Sequence, residues 1–187
     1  SDLIFGLSFL ANAQDAKSNQ PKGYQFTDIK RLPATSVKDQ ARAGTCWSWS
    51  GISFFESEMI RMGKEPIDLS AMYIVRHAYS DKATKFVRLH GSMNFAVGGA
   101  FCDVMHVIKN YGIVPMDVYK GLNYGEPNHA FGEIDDVLAG YVNAVIKNSN
   151  KKLSTAWKKG FDGILDAYLG EEPEKFEYKG KEYTPRS

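Results

Sequence analysis

The residues best suited to chemistry in this sequence surround one cysteine, Cys46. Gly44 stands two positions before it, and Trp47 follows it at the head of an apolar stretch with helical spacing. A cysteine at a helix N-terminus meets unpaired backbone N–H groups and the positive end of the helix dipole, which favour thiolate over thiol. The sequence therefore predicts that Cys46 is a nucleophile and not an inert, buried cysteine.

Gln40 is a candidate to assist this cysteine in catalysis, because it precedes Cys46 by six positions. In a loop of this length, with Gly44 free to turn, the side-chain amide can reach the oxygen that becomes negative when a thiolate attacks a carbonyl. An N–H donor at that place stabilises the oxyanion. We therefore expect Gln40 and Cys46 to act together in acyl transfer.

The stretch around Cys46 resembles the active-site signature of the papain-like cysteine peptidases. That signature is a Gln, then Gly-Ser-Cys-Trp, then an aromatic residue and a Ser, and residues 44–50 read Gly-Thr-Cys-Trp-Ser-Trp-Ser. Ala43 stands where many secreted members carry a disulfide cysteine. With the Tyr-Gly-Ile-Val-Pro run over residues 111–115, the chain is most similar to the bleomycin hydrolase and aminopeptidase C branch.

The resemblance implies an α+β, papain-like fold with two lobes. A helical lobe contains the central helix that starts at Cys46, and a β-rich lobe carries a catalytic His and Asn. The Cys46 N–H and Gln40 would hold the oxyanion, and Trp47 would form a wall of the cleft. Gly98 and Gly99 would bind the peptide backbone, since paired glycines before a helix let another chain approach closely.

Apolar residues at helical spacing predict five helices, and alternation around Lys179-Gly180 predicts a β-hairpin over residues 176–184. A short strand or extended segment is predicted over residues 24–29. The predicted helices run from Cys46 to about Met62, from the N-cap Ser70 to about His90, from Phe101 to just before Gly112, from Ile134 to about Val145, and from Ser154 to Leu169.

Two side chains on these helices carry specific expectations. Glu56 falls inside the apolar stripe of the first helix, so its carboxylate should be paired or hydrogen-bonded; papain-like enzymes have a Glu at this place, and its role is structural. In the third helix, we expect Phe101, Val104, Met105 and Ile108 to share the buried face. Cys102 is predicted to be a buried free thiol, which leaves no disulfide framework.

The histidines of the chain do not supply an obvious general base. We interpret His77 and His90 as surface or hydrogen-bonded residues and His106 as structural. His129 lies in an Asn-His-Ala setting like that of the papain-like catalytic histidine, but it follows Cys46 by only 83 positions and precedes a helix. The family spacing is about 130–150 positions, so a structural role for His129 is favoured, and no histidine follows it.

Composition is that of an ordinary globular protein, with 187 residues, 43% hydrophobic residues and a net charge of +1. This charge gives no electrostatic case for nucleic acid or a membrane surface as a partner. The sequence has no metal-binding cluster and no phosphate-binding glycine loop, so we expect no metal and no cofactor. The expected partner is a peptide substrate.

The domain organisation has three predicted parts. Residues 1–13 contain an apolar run from Leu3 that ends in Ala-Asn-Ala, which predicts a signal-peptide remnant and an exported, periplasmic or secreted protein. The alternative is an N-terminal arm packed on the body. Residues 14–23 are a linker. Residues 24–187 are the front portion of a papain-like peptidase domain, with the helical lobe over about 40–170 and the start of the β lobe over 174–187.

The predicted activity is peptide hydrolysis through a Cys46 thioester, by an aminopeptidase or an endopeptidase, as a monomer or a homo-oligomer. The catalytic His and Asn would come from a second chain of the same protein, after cleavage following Ser187, or the chain is a truncated product. In either case the chain should be inactive alone.

Two alternative functions stay open. One is a binding module in which Cys46 is a relic, and the other is a non-peptidase acyl-transfer enzyme of the same fold.

Overall fold

The structure is a computed structural model that describes residues 23–24 and 26–187. It divides into two units, residues 1–31 and residues 32–187. No strand is present among the described residues of the segment 24–29. The predicted signal-peptide remnant, and all but one residue of the predicted linker, lie outside the described residues.

The second unit consists, over its described residues, of five α-helices followed by one two-stranded antiparallel sheet. The predicted helices and the hairpin are confirmed, although the fifth helix starts at Trp157 and not at Ser154. The strands pair Phe176 with Tyr183 across the two-residue turn Lys179-Gly180. The elements are α1 (Cys46–Arg61), α2 (Ala71–Arg88), α3 (Phe101–Tyr111), α4 (Gly132–Ile146), α5 (Trp157–Leu169), β1 (Phe176–Tyr178) and β2 (Lys181–Tyr183).

Helix α2 forms the centre of the helical body, since it packs against each of the other four helices. Its N-terminus is held by Ser70, whose hydroxyl oxygen accepts a hydrogen bond from the Tyr73 N–H at 3.0 Å. The same hydroxyl donates to the Tyr119 carbonyl oxygen at 2.6 Å. The predicted Ser70 N-cap is therefore confirmed.

Helix α3 buries a face that shares Val104 with the predicted one but excludes Phe101 and Met105. Val104 and Val107 are fully buried, whereas Phe101 and Met105 are 43% and 53% exposed. Cys102 is also exposed, because it lies two residues before Val104 and so roughly 200° around the helix from it. The prediction of a buried Cys102 was wrong, and the thiols of Cys46 and Cys102 are both free.

His77 is buried in α2 between two aromatic rings. Its ring stacks on Tyr111 at a centroid distance of 4.1 Å and meets Tyr73 edge-on at 4.5 Å. Nε2 has no hydrogen-bond partner among the described residues, and the nearest Glu172 oxygen is 3.5 Å away. Burial, reinforced by the Arg76 charge, lowers the pKa of His77 to about 4, so the expectation of an exposed or hydrogen-bonded His77 was wrong.

Acidification is therefore expected to reduce the free energy of unfolding. Because the folded-state pKa of His77 is lowered from 6.5 to about 4, the unfolded state binds a proton in this range that the folded state rejects. The protonation of His77 alone should lower the free energy of unfolding by about 3 kcal/mol as the pH drops from about 6.5 to 4. Urea unfolding between pH 7 and 4 measures this loss.

His77→Phe keeps the stacked ring but cannot be protonated, so its stability should depend less on pH over the same range. His90→Asn is the matched control for loss of a histidine, because His90 is exposed. Burial also raises the pKa of Glu172, which acts in the opposite direction and is common to both variants. Equal pH dependence in His77→Phe and the unmodified chain would contradict this account.

Candidate active site

Cys46 is the first residue of α1, and it is exposed. Thr45 occupies the N-cap position, but its side chain makes no capping hydrogen bond. Its hydroxyl oxygen instead accepts a hydrogen bond from the Trp49 indole N–H at 3.0 Å. Among the described residues, no group accepts a hydrogen bond from the backbone N–H of Cys46 or Trp47. The start of α1 therefore presents unpaired N–H donors next to an exposed thiol.

The loop that carries Gln40 turns sharply before α1. Gly44 has a φ of +65°, and a Cβ there would also come within 3.0 Å of the Val97 side chain, so glycine suits this position on both counts. The Gln40 amide oxygen is buried and has no hydrogen-bond partner among the described residues. The NH₂ nitrogen of the same amide is not a buried, unpartnered atom, so it stays available as a donor.

The carboxylate of Glu56 anchors this loop to the helices. It accepts hydrogen bonds from the Leu69 N–H at 2.8 Å and from the Lys38 ammonium at 2.8 Å, and Thr35 donates to it as well. Burial disfavours the Lys38 ammonium, but its hydrogen bonds to Asp68 and Glu56 outweigh this and raise the pKa of Lys38. The expectation that Glu56 is buried and paired is confirmed, since it is 1% exposed.

Trp47 joins α1 to the segment that carries the two glycines. Its indole N–H donates to the Val97 carbonyl oxygen at 3.0 Å. Gly99 packs so closely on the indole that a Cβ there would lie 2.6 Å from ring carbons, whereas a Cβ on Gly98 would have no neighbour within 4 Å. The structure thus places Gly99 against Trp47, which follows Cys46, with Gly98 exposed beside it.

Lys82, on α2, also holds this segment, and nothing in the sequence indicated this role. Its ammonium donates to the carbonyl oxygens of Ala96 and Gly98 and lies 5.4 Å from the centre of the Trp47 ring. Burial lowers the pKa of Lys82, with the nearby Asp103 acting in the opposite direction. These contacts fix the carbonyl of Gly98 within the protein.

Gly99→Ala is expected to destabilise the chain by about 1–3 kcal/mol, because the added methyl group must displace the Trp47 ring. Gly98→Ala is the matched control: its methyl group would meet open space, so its effect should be much smaller. Urea unfolding followed by tryptophan fluorescence measures both variants. Equal losses in the two would show that Gly99 does not pack tightly on Trp47.

His129 contacts the loop that carries Gln40. Its carbonyl oxygen accepts a hydrogen bond from the Arg42 N–H at 2.9 Å, and its ring meets Trp49 edge-on at a centroid distance of 6.1 Å. Nδ1 is buried without a partner among the described residues, and burial lowers the pKa of His129. His129 therefore supports the loop and Trp49.

All four histidines lie in the described part of the chain, and none of them makes a hydrogen bond to Cys46. Two of them are held elsewhere: His77 lies between aromatic rings, and His106 lies 3.1 Å from Asp81. Residues 23–24 and 26–187 contain no group of three or more side chains that could hold a metal ion. Over the same residues, no helix has the length and apolar character needed to cross a bilayer.

Comparison with known proteins gives a consistent result. The family model described as papain family cysteine protease matches residues 21–159, which is 139 of the 187 residues. Cathepsin B-like CP2 of Giardia intestinalis is 29% identical over 93 residues, covering 44% of this chain and 31% of that protein. The crystal structure of PepW from Lactobacillus rhamnosis HN001 covers 83% of this chain, with a TM-score of 0.56 and 19% sequence identity.

The structural likeness to PepW confirms the predicted fold class, a papain-like α+β fold of which this chain supplies the helical lobe. The chain covers about a third of the length of the curated relative and 43% of the PepW chain. The family model matches well over half of the chain and includes the segment from Gln40 to Cys46. The chain therefore belongs to the papain family of cysteine proteases.

Proposed function

We propose that this chain carries the nucleophile and the oxyanion site of a cysteine peptidase. The observation that carries the proposal is the exposed Cys46 thiol at the uncapped start of α1. A thiol in this position can attack a carbonyl while unpaired N–H groups of the first turn face the oxygen. The Gln40 loop, braced through Glu56, brings a second donor to the same end of the helix.

The proposed reaction proceeds through a covalent thioester. A base takes the proton of Cys46, and the sulfur bonds to the scissile carbonyl carbon to form a tetrahedral oxyanion. The Cys46 N–H and the Gln40 amide hold that oxygen while the C–N bond breaks and the amine leaves with the proton that the base returns. Water then attacks the thioester, which releases the carboxylic acid and restores the thiol.

The peptide substrate would bind along the segment that Trp47 and Lys82 hold in place. The Gly98 carbonyl oxygen already accepts a hydrogen bond from Lys82, whereas no hydrogen bond to the backbone of Gly99 is found among the described residues. The polar groups of Gly99 are therefore available to an extended peptide. Trp47 is buried beneath Gly99 and would support this edge without touching the reacting atoms.

The base and its Asn partner would come from outside this chain, since none of its histidines contacts Cys46. A second chain of the same protein is one proposed source, and the intact protein is proposed to be an exported peptidase.

The Tyr-Gly-Ile-Val-Pro run at residues 111–115 supports an aminopeptidase of the bleomycin hydrolase type, with an endopeptidase as the alternative. Alone, the chain should be acylated but should not turn over amide substrates.

An activated ester tests this proposal, because p-nitrophenolate leaves without needing an acid. We expect an N-acetylated dipeptide p-nitrophenyl ester to acylate the chain at pH 7, with one p-nitrophenolate released per chain and the acyl group found on Cys46 by mass spectrometry. Cys46→Ser should abolish this burst, whereas Cys102→Ser should retain it. A binding module with a relic cysteine would give no burst.

A non-peptidase acyl-transfer enzyme of the same fold is the second candidate, and it would also give the burst. The fate of the acyl group separates the two functions once the missing catalytic residues are supplied. A peptidase cleaves dipeptide amides and transfers the acyl group to water, whereas a transferase requires an added amine. The Gly98-Gly99 edge, which suits an extended peptide, favours the peptidase.

A further inference from the structure

We propose that Trp49 is a positioning residue for the oxyanion site: its indole N–H keeps the Thr45 hydroxyl from capping α1, so that the first-turn N–H groups stay free. This inference rests on the proposed function. Thr45 and Trp49 touch no substrate in this account. They act through the backbone that carries Cys46.

Thr45 would ordinarily cap the helix that begins at Cys46. Threonine is a favoured N-cap residue, and its hydroxyl oxygen typically accepts a hydrogen bond from the second or third N–H of the helix. Here the backbone of Thr45 has φ −106° and ψ 25°, and its side chain makes no capping bond. The third N–H, that of Ser48, instead donates to the Thr45 carbonyl oxygen at 2.9 Å.

The indole of Trp49 supplies the reason for this departure. It lies one turn along α1, and its N–H donates to the Thr45 hydroxyl oxygen at 3.0 Å. Thr45 is fully buried, so its hydroxyl cannot turn to solvent. The edge-on contact of the His129 ring, at 6.1 Å between centroids, holds the Trp49 indole in the orientation that makes this bond.

A capped helix would be a poorer oxyanion site for two reasons. Capping would pair an N–H of the first turn that is now unpaired, and so reduce the positive charge at the helix end. It would also rotate Thr45 into the extended conformation typical of an N-cap, which would turn the adjoining Cys46 N–H. Trp49 therefore keeps the first-turn N–H groups of α1 unpaired by preventing Thr45 from capping the helix.

Trp49→Phe tests this inference, since it keeps an aromatic ring but removes the indole N–H. We expect it to slow acylation of Cys46 by the p-nitrophenyl ester about fivefold, the effect of roughly one capping hydrogen bond. Alkylation by iodoacetamide forms no oxyanion, so it should slow less. In a Thr45→Val background there is no hydroxyl to release, and Trp49→Phe should then have no further effect. Trp157→Phe is the matched control for loss of an indole.

A second measurement needs no change at Trp49. The Trp47 and Trp49 indole N–H groups are hydrogen-bonded, so both should exchange with deuterium slowly in NMR spectra. Thr45→Val should remove protection of the Trp49 indole and leave that of Trp47 intact. Fast exchange of the Trp49 indole in the unmodified chain would overturn the inference even if Trp49→Phe fails to fold.

The outcomes also separate this inference from the proposed function. If the unmodified chain is not acylated, the proposed function fails, and this inference fails with it. If the unmodified chain is acylated and Trp49→Phe reacts equally fast, only the inference fails. The inference also fails if Trp49→Phe slows acylation as much in the Thr45→Val background, because loss of packing would then explain the effect.

Discussion

Replacing Gln40 by alanine is expected to slow acylation of Cys46 by a peptide ester about 100- to 1000-fold, the typical loss when one oxyanion donor is removed. The Gln40 amide oxygen is buried without a partner among the described residues, so the NH₂ group is the part of this side chain that can donate to a substrate oxygen. That group is the one side-chain donor assigned to the oxyanion in this account. Burst kinetics with the p-nitrophenyl ester measure the loss.

Two comparisons make the Gln40 prediction specific. Iodoacetamide reacts at a saturated carbon and forms no oxyanion. Cys46 of Gln40→Ala should therefore be alkylated at nearly the same rate as Cys46 of the unmodified chain. Gln40→Asn keeps the amide on a shorter side chain and should remain slow, since the donor no longer reaches the oxygen. An equal loss of alkylation and acylation in Gln40→Ala would mean that the substitution disturbs Cys46 itself, which would contradict an oxyanion role.

Replacing Glu56 by alanine is expected to lower the free energy of unfolding by about 3–5 kcal/mol, as is typical when one partner of a buried ion pair is removed. The Leu69 N–H would lose its acceptor in a site where Glu56 is 1% exposed, and the Lys38 ammonium would keep Asp68 but lose its buried partner. The loop that carries Gln40 would also lose its attachment to α1. Urea unfolding at pH 7 measures the change.

Glu58→Ala is the matched control on the same helix. Glu58 pairs with Arg61 at 2.8 Å on the surface, so its loss should change stability little. Glu56→Gln keeps the shape and should fall between the unmodified chain and Glu56→Ala, since the amide oxygen can still accept from Leu69. A small loss in Glu56→Ala, similar to that of Glu58→Ala, would contradict the anchoring role.

The parts of the fold that local chemistry decides were predictable from the sequence. The helix starting at Cys46 and the Ser70 N-cap depend on helical spacing and on a side chain within one turn of the bond it makes. Glu56 was recognised as a buried carboxylate because it interrupts an apolar stripe. Its partners were not predictable, because Lys38 and Leu69 reach it only through the path of two separate loops.

Long-range packing decided the features that the sequence did not reveal. The apolar residues of α3 suit two overlapping faces, and contact with the rest of the fold selects Val104 and Val107, which exposes Cys102. His77 was misread for a similar reason, since no local pattern shows that two tyrosines enclose it. Lys82 belongs to no recognisable motif, and it meets the Gly98 carbonyl only because the fold brings α2 close to that segment.

The most direct test of Cys46 as the nucleophile compares the two thiols within one unmodified chain. Cys46 and Cys102 are both exposed, both lie in the first turn of a helix, and in neither helix does the N-cap side chain make a capping hydrogen bond. Only Cys46 has Gln40 in the loop that precedes its helix. After limited reaction at pH 7, mass spectrometry gives the ratio of label on the two thiols, for iodoacetamide and for the p-nitrophenyl ester. We predict that the ester favours Cys46 at least tenfold more strongly than iodoacetamide does. The same ratio for both reagents would contradict the assignment of Cys46 as the nucleophile of an oxyanion-assisted reaction.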